Sequence, residues 1–176
     1  MAILKIARMG HPILRQRAQA VETSEIKSPR IQTLIDDLIA TMRDYDGAGL
    51  AAPQVHVSLR MVVFEVTNNP RYPEMPEIPL TVAINPRIEP LTETRFGMWE
   101  GCLSVPDLRG YVERPAKVKF SALNRDAEPF SQELAGFPAV VVQHECDHLD
   151  GTLYIDRVQD TTKLAFVKEY NKLIDV

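Results

Sequence analysis

Apolar positions first recur at helical spacing between residues 28 and 47. Ile31, Leu34, Ile35, Leu38, Ile39 and Met42 share one face, and Asp36, Asp37 and Arg43 fall on the other, the pattern of a scaffold helix with one buried stripe. Ser28 suits its N-cap, Pro29 its first turn and Gly47 a left-handed closure. Residues 60–66 predict a largely buried strand, 80–85 a second and 87–93 a weaker third. Residues 111–113, the alternating segment 117–124 and residues 130–134 predict antiparallel strands, with Arg125-Asp126 marking a hairpin. Residues 139–142 are apolar on every side, so a buried helix is expected to open at Gly136-Phe137-Pro138 and to end at Gly151. Residues 153–155 predict a short strand. Asp160 is placed to cap a last helix with Leu164, Val167 and Leu173 in its core face.

Near the start, Met9-Gly10-His11-Pro12 predicts a turn, with Ile13-Leu14 dipping into the core. Pro70, Pro73, Pro76 and Pro79 recur every third residue, which predicts a stiff surface loop with its rings along one polyproline face. The order of elements is α+β: antiparallel or mixed sheets packed around a central buried helix, with an N-terminal scaffold helix and a C-terminal helix. There is no internal repeat and no second composition regime, so residues 1–176 are expected to form a single domain.

Composition narrows the function classes. Hydrophobic residues are 45% and charged residues 25%, ordinary for a soluble globular chain. A net charge of -4 without a basic run gives nucleic-acid binding no support. No apolar stretch approaches a membrane span, and the first five residues do not read as a signal peptide. Two cysteines make no disulfide framework, so a reducing compartment is expected. The soft metal donors are few: Cys102, Cys146, His11, His56, His144 and His148.

Two of them define the candidate chemistry. Gln143-His144-Glu145-Cys146-Asp147-His148 reads His-Glu-x-x-His. On a helix, at about 100° per residue, His144 and His148 stack on one face, one turn apart. They can share one metal ion, with Glu145 as a base beside it. On a buried helix these polar groups need partners. Cys146 lies about 200° from each histidine, so it faces away as a small core thiol. Asp147, about 60° from His144, suits either support of that histidine or a plain salt bridge. A third ligand must come from elsewhere. The metzincin completion fails because its last position holds Tyr154, and Glu169 sits in a solvated stretch of the last helix. Glu169 is still a candidate, and Cys102 is a third option, in the run Phe96 to Pro106, where a glycine could let backbone approach the helix closely; a thiolate beside two imidazoles would make a soft donor set suited to Fe(II), Zn(II) or Ni(II). Another His-Glu-x-x-His peptidase would need a ligand outside that run. A structural metal site would need a fourth closed ligand, which this pool does not offer. His11 reads as a turn residue. Gln54, the single polar side chain in the run 47–54, suits a core hydrogen bond or an amide aimed into a cleft. That run lacks the Lys-Ser/Thr ending of a phosphate loop.

Three motifs together resemble one family. Gly47-Ala48-Gly49-Leu50-Ala51-Ala52-Pro53-Gln54, Glu100-Gly101-Cys102-Leu103-Ser104 and Gln143-His144-Glu145-Cys146-Asp147-His148-Leu149-Asp150-Gly151 are similar to those of the peptide deformylases, in order and approximate spacing. The likeness extends to the turn Gly10-His11-Pro12-Ile13-Leu14-Arg15 and covers nearly the whole chain. It implies that Cys102, His144 and His148 hold one divalent ion, Fe(II) in the cell with Zn(II) or Ni(II) as substitutes. It implies that Glu145 moves a proton from water to the departing amine, and that the Gln54 amide and the Leu103 N–H donate to the oxyanion. Ala48, Gly49 and Gly101 would pair with substrate backbone. Met98, Glu100, Phe137, Val140 and Val141 would wall a methionine pocket; Val140 also lies one turn before His144 on the same helix face. The implied substrate is the N-formyl group of nascent polypeptides beginning with formyl-methionine, and the products are formate and a free amino terminus. A transient ribosome association, and a cytoplasmic or an organellar matrix or stromal location, are implied in turn. The chain departs from the family at His56, where many members have glycine, and in its proline-rich stretch 70–79.

Overall fold

Ser28 Oγ accepts the Ile31 N–H at 3.4 Å and Pro29 fills the first turn, so helix α1 runs Pro29–Asp44. The structure is a computed structural model that describes residues 1–67, 69 and 74–174. Ile31, Ile35, Leu38, Ile39 and Met42 are buried with Leu50, Met61 and Val63, while Leu34 is only half-buried. The helix closes differently from the expectation. Asp46, not Gly47, takes the left-handed conformation, with φ 51, which a short polar side chain tolerates. Gly47 is needed for closeness instead: a Cβ there would stand 3.2 Å from the Leu103 side chain and from the Gly49 carbonyl oxygen.

The strands are β1 Gly49–Ala51, β2 Met61–Val66, β3 Ile78–Pro90, β4 Arg95–Cys102, β5 Val105–Pro115, β6 Lys117–Leu123, β7 Pro129–Ala135 and β8 Leu164–Phe166. They form a five-stranded sheet, β1-β2-β3-β6-β7, and a three-stranded sheet, β4-β5-β8. All the pairings in both sheets are antiparallel; an isolated parallel bridge joins Gln19 to Leu59. Among the described residues, β1 and β4 each have one sheet neighbour, so each is an edge.

Several elements differ from the pattern-based expectation. Residues 80–85 and 87–93 were expected as two strands; β3 runs through both, with a register irregularity between Ile84 and Arg87. Asn85 sits there at φ 52 and exchanges two side-chain hydrogen bonds with the Val21 backbone, at 2.9 and 2.8 Å. Residues 153–155 do not form a strand. Asp156 Oδ2 accepts the Leu153 N–H at 2.8 Å and winds Tyr154–Arg157 into a 3-10 helix. Asp160 caps only the 3-10 turn Thr161–Lys163. Leu164 then joins β8, because the edge of β5 offers backbone partners, and helix α3 begins afterwards as Val167–Ile174. The side chain of Leu173 lies outside the described residues, as do Pro70 and Pro73. Pro79 belongs to β3 rather than to a loop.

Helix α2, Phe137–Leu149, is central. It touches β1, β2, β3, β6 and β7 on one side and β5 on the other. Ala139, Val142, Cys146 and Leu149 pack with Phe64, Val118 and Phe120. Each fully buried apolar side chain of this size contributes roughly 1.5–3 kcal/mol, and that burial carries Gln143, His144, Glu145 and His148 inside with it. Gly151, at φ 73, follows the helix; a Cβ there would lie 2.8 Å from the Arg15 carbonyl. The N-terminal turn therefore packs against the end of α2, and Leu14 is buried as expected.

Candidate metal centre and active site

His144 and His148 stand one turn apart on α2, with ring centroids 5.1 Å apart. Cys102 ends β4, just before the Leu103-Ser104 turn into β5. Its Sγ lies 3.3 Å from His148 Nε2. One donor atom from each of Cys102, His144 and His148 falls within 4.8 Å of the other two, close enough for a single ion. Three such donors leave a fourth position open, as catalytic zinc-type sites do. Cys102 Sγ also accepts the Ser104 N–H at 3.4 Å and the Gln54 amide at 3.5 Å. Gln54 itself is held: its Oε1 accepts the Ala51 N–H at 2.9 Å and its Nε2 donates to Ser104 Oγ at 3.1 Å. It is both a core hydrogen-bonding residue and an amide at the cleft.

The electrostatics suit a cation. Burial pushes the Cys102 thiol up, but the imidazoles, His148 foremost, pull it well below the usual thiol range. Burial lowers His144, yet its contacts with Cys102 and Glu100 hold it well above the usual imidazole value. A thiolate and two imidazoles, with no fourth ligand among the described residues, fit a soft divalent ion, which binds deprotonated donors. Glu145 Oε2 is buried with no hydrogen-bond partner among the described residues, an orphan that calls for one in the cleft itself. Burial raises the Glu145 carboxyl to about 7, against the lowering pull of His144 and His148. Gly49 makes room for it: a Cβ there would stand 2.5 Å from Glu145 Oε1.

Behind His144 lies a chain of buried charge. Its Nδ1 is 2.7 Å from Glu100 Oε2. Arg114 donates to both Glu100 oxygens, at 2.6 and 3.0 Å, and to Asp147 Oδ2 at 2.8 Å. Arg157 closes the chain on Asp147 at 2.6 and 3.0 Å. Burial would raise the Glu100 carboxyl, but bonds from His144 and Arg114 hold it at about 2. Arg114 is pushed down by burial and up, on balance, by Glu100 and Asp147. Asp147 thus combines both of its sequence readings, supporting His144 indirectly through salt bridges. Tyr154 stacks on His144, with ring centroids 6.0 Å apart and planes 20° apart, and donates to the Leu108 carbonyl at 3.0 Å. Arg114, Arg157, Ser104 and Tyr154 were not among the predicted site residues. Arg114 had one legible signal, its place two residues beyond Val112 in an alternating strand.

Ala48, Gly49, Met98, Glu100, Gly101, Phe137, Val140 and Val141 line one cavity with Gln54, Leu103 and Glu145. Edge strands β1 and β4 flank it. Glu100 contributes to the lining, but its carboxylate is engaged by His144 and Arg114 rather than offered to a ligand. The remaining donors lie elsewhere. Cys146 packs in the core against the five-stranded sheet, and burial pushes its thiol up. Glu169 is exposed and pairs with Lys172. His56 is exposed at φ 65, a left-handed conformation that glycine adopts most readily. Its ring meets His11 edge-on at 4.7 Å, and His11 Nδ1 accepts the Ile13 N–H at 3.3 Å.

An α+β fold wrapped around a His-Glu-x-x-His helix, with a cysteine brought in from a second segment, defines a metallohydrolase class. The profile of the family described as polypeptide deformylase matches residues 3–164, and the chain belongs to that family, whose members remove the N-formyl group from nascent polypeptides. It is 45% identical to the peptide deformylase of Leptospira biflexa serovar Patoc over 179 residues, covering 99% of this chain and 100% of the relative. It is 48% identical to peptide deformylase 1 of Prochlorococcus marinus over 170 residues, 96% of this chain and 88% of the relative. The Met-Ala-Ser-bound crystal structure of the class I type b peptide deformylase from Acinetobacter baumannii superposes with a TM-score of 0.86 at 41% identity, over 89% of this chain and 99% of that one. No helix among the described residues is long and apolar enough to cross a membrane.

Proposed function

We propose that this chain, acting as one catalytic unit over residues 1–176, hydrolyses the N-formyl group of polypeptides that begin with formyl-methionine. Cys102, His144 and His148 are the ligands of one divalent ion, Fe(II) in the cell with Zn(II) or Ni(II) as substitutes. When bound, the ion supplies a Lewis acid that makes water nucleophilic near neutral pH and polarises the formyl oxygen. Glu145 takes the proton from the attacking water and returns it to the departing amine. The Gln54 amide and the Leu103 N–H donate to the oxyanion; loss of one such donor costs about 10²–10³ in rate. The held Oε1 of Gln54 supports this role, because it fixes which end of the amide donates. The edges of β1 and β4, through Ala48, Gly49 and Gly101, pair with substrate backbone, which is indifferent to substrate sequence. Met98, Phe137, Val140 and Val141 receive the methionine side chain, and Glu100 holds His144 in place. The partners are formylated nascent peptides, met in transient association with the ribosome, in the cytoplasm or in an organellar matrix or stroma.

The carrying observation is the convergence of Cys102, His144 and His148 beside a buried carboxylate with an unpartnered oxygen. The test is an anaerobic assay with formyl-Met-Ala-Ser, with metal analysis alongside, because thiolate-bound iron oxidises. Glu145→Gln is expected to keep about one ion per chain and to release formate about 10²–10⁴-fold more slowly. Normal turnover in that variant removes Glu145 as the base. Internal cleavage of unformylated peptides overturns the reading in favour of an endopeptidase.

A further inference from the structure

The three-stranded sheet has a second face that takes no part in the chemistry above. Along β4, Met98, Glu100 and Cys102 turn toward α2, and alternation sends Gly97, Trp99 and Gly101 the other way. Tyr111 lies over Gly97, and the Arg109 side chain lies 3.2 Å from a Cβ built on Gly101. Trp99 sits 5.1 Å, ring to ring, from Tyr170 and 6.1 Å from Tyr111. The Arg109 guanidinium carbon stands 5.9 Å from the Tyr170 ring centre. Tyr170 belongs to α3, which starts directly after β8 and so folds against β5. The family match ends at residue 164, before α3 begins. Trp99, Arg109 and Tyr170 line a groove that runs into the active-site cavity, the two sharing Met98, Cys102 and Leu103.

We propose that Tyr170, with Trp99 and Arg109, forms a recognition wall for the second residue of the substrate peptide and selects aromatic side chains there. The inference rests on the deformylase reading. An extended peptide paired along the edge of β4 sends successive side chains to opposite faces. With methionine directed to Met98 and Val140 on the α2 face, the next side chain emerges on the face of Trp99. There it meets two aromatic rings and a guanidinium, the surfaces on which a flat side chain stacks. Gly101 carries no side chain to hold the peptide backbone away.

The holoenzyme is assayed with formyl-Met-Phe-Ser and formyl-Met-Gly-Ser. The phenylalanine peptide is expected to be favoured about three- to ten-fold in kcat/KM, through KM. Tyr170→Ala brings that ratio close to one, while Tyr170→Phe, and Glu169→Gln on the exposed side of the same helix, preserve it. Trp99 is the only tryptophan in the chain, so its emission reports the wall without turnover. The unformylated product Met-Phe-Ser is expected to perturb it at several-fold lower concentration than Met-Gly-Ser, and this titration of the wild type decides the matter if Tyr170→Ala fails to fold. Equal kcat/KM for the two peptides, a preference that survives Tyr170→Ala, or Trp99 emission indifferent to Met-Phe-Ser overturns the wall and leaves the deformylase reading intact. Absence of formate from both peptides overturns the deformylase reading itself.

Discussion

Gly49→Ala adds one methyl group directly against Glu145. A Cβ at Gly49 would stand 2.5 Å from Oε1 and 2.7 Å from Cδ and Cγ of that side chain. Gly49 does not have positive φ and lies in β1 opposite Phe64, so the backbone accepts alanine and the whole effect is steric. To regain an ordinary contact near 3.4 Å, the carboxylate must back away by about 0.7–0.9 Å. A misplacement of about 1 Å at a reacting group costs about 10²-fold in rate. Gly49→Ala is therefore expected to lower kcat for formyl-Met-Ala-Ser about 10²-fold while keeping about one ion per chain. Overpacking of this kind costs roughly 1–3 kcal/mol of stability, which thermal denaturation will register without loss of the fold. The decisive control is non-additivity. In a Glu145→Gln background the added methyl has little further rate to remove, because both changes act through the same carboxylate. Two results would refute the reasoning: a Gly49→Ala enzyme within three-fold of wild type, or a full second 10²-fold loss on top of Glu145→Gln.

Cys102→Ser is expected to lose most of the bound ion, and Cys146→Ser to keep it at a cost of about 1–3 kcal/mol for a buried hydroxyl; elemental analysis and denaturant unfolding check this, and the reverse pattern refutes the ligand assignment. Arg114→Met leaves Glu100, 3% exposed, without its bidentate partner, and breaking such a pair costs about 3–5 kcal/mol, or roughly 6–20 °C in Tm. Its pH dependence has a definite sign. The Glu100 carboxyl is held at about 2, below its ordinary 4.5, so the stabilisation is complete above pH 4.5 and is lost as pH falls toward 2. The deficit of Arg114→Met in denaturant unfolding should thus be largest at pH 7 and shrink by pH 3. A deficit under 1 kcal/mol at pH 7, or one that does not shrink in acid, counts against the buried pair.

Elements that bury one face, or every face, of a helix were legible in the sequence. Ile31 to Met42 repeat at helical spacing because α1 covers a single surface, and 139–142 are apolar all round because α2 has sheets on both sides. Strand β4 was not legible. Its glycines at 97 and 101 look like breaks in a pattern, yet they are there because Tyr111 and Arg109 lie over them from the neighbouring strand. Residues 153–160 failed for a related reason. The Asp156 side chain and the open edge of β5 decide the local conformation, and neither shows in local periodicity. At the site, the donors were legible because spacing within one helix is local and the pool of cysteines and histidines is small. Of their supports, Asp147 was legible from its place on the helix, and the others hardly at all. Nothing near Arg114 in sequence announces that Glu100 and Asp147 will flank it in the fold.

Charge accounts for why those supports exist. In the proposed reaction two buried groups beside the cavity would be anionic, the Cys102 thiolate and the Glu145 carboxylate. The charges behind them already cancel in pairs, Glu100 against Arg114 and Asp147 against Arg157. The imidazoles, His148 foremost, lower the Cys102 thiol against its burial, and burial raises the Glu145 carboxyl to about 7 against the pull of His144 and His148. A divalent ion held by Cys102, His144 and His148 would match both anions at once, and a neutral His144 would donate Nδ1–H to Glu100. The Glu100–Arg114 pair would thus fix which ring nitrogen of His144 could bind a metal, and the pair is neutral, so it would not compete for the ion. A carboxylate at Glu100 without Arg114 would draw the proton back onto His144 and weaken the donor set. The buried salt bridges therefore serve the proposed metal centre as well as the stability of the fold.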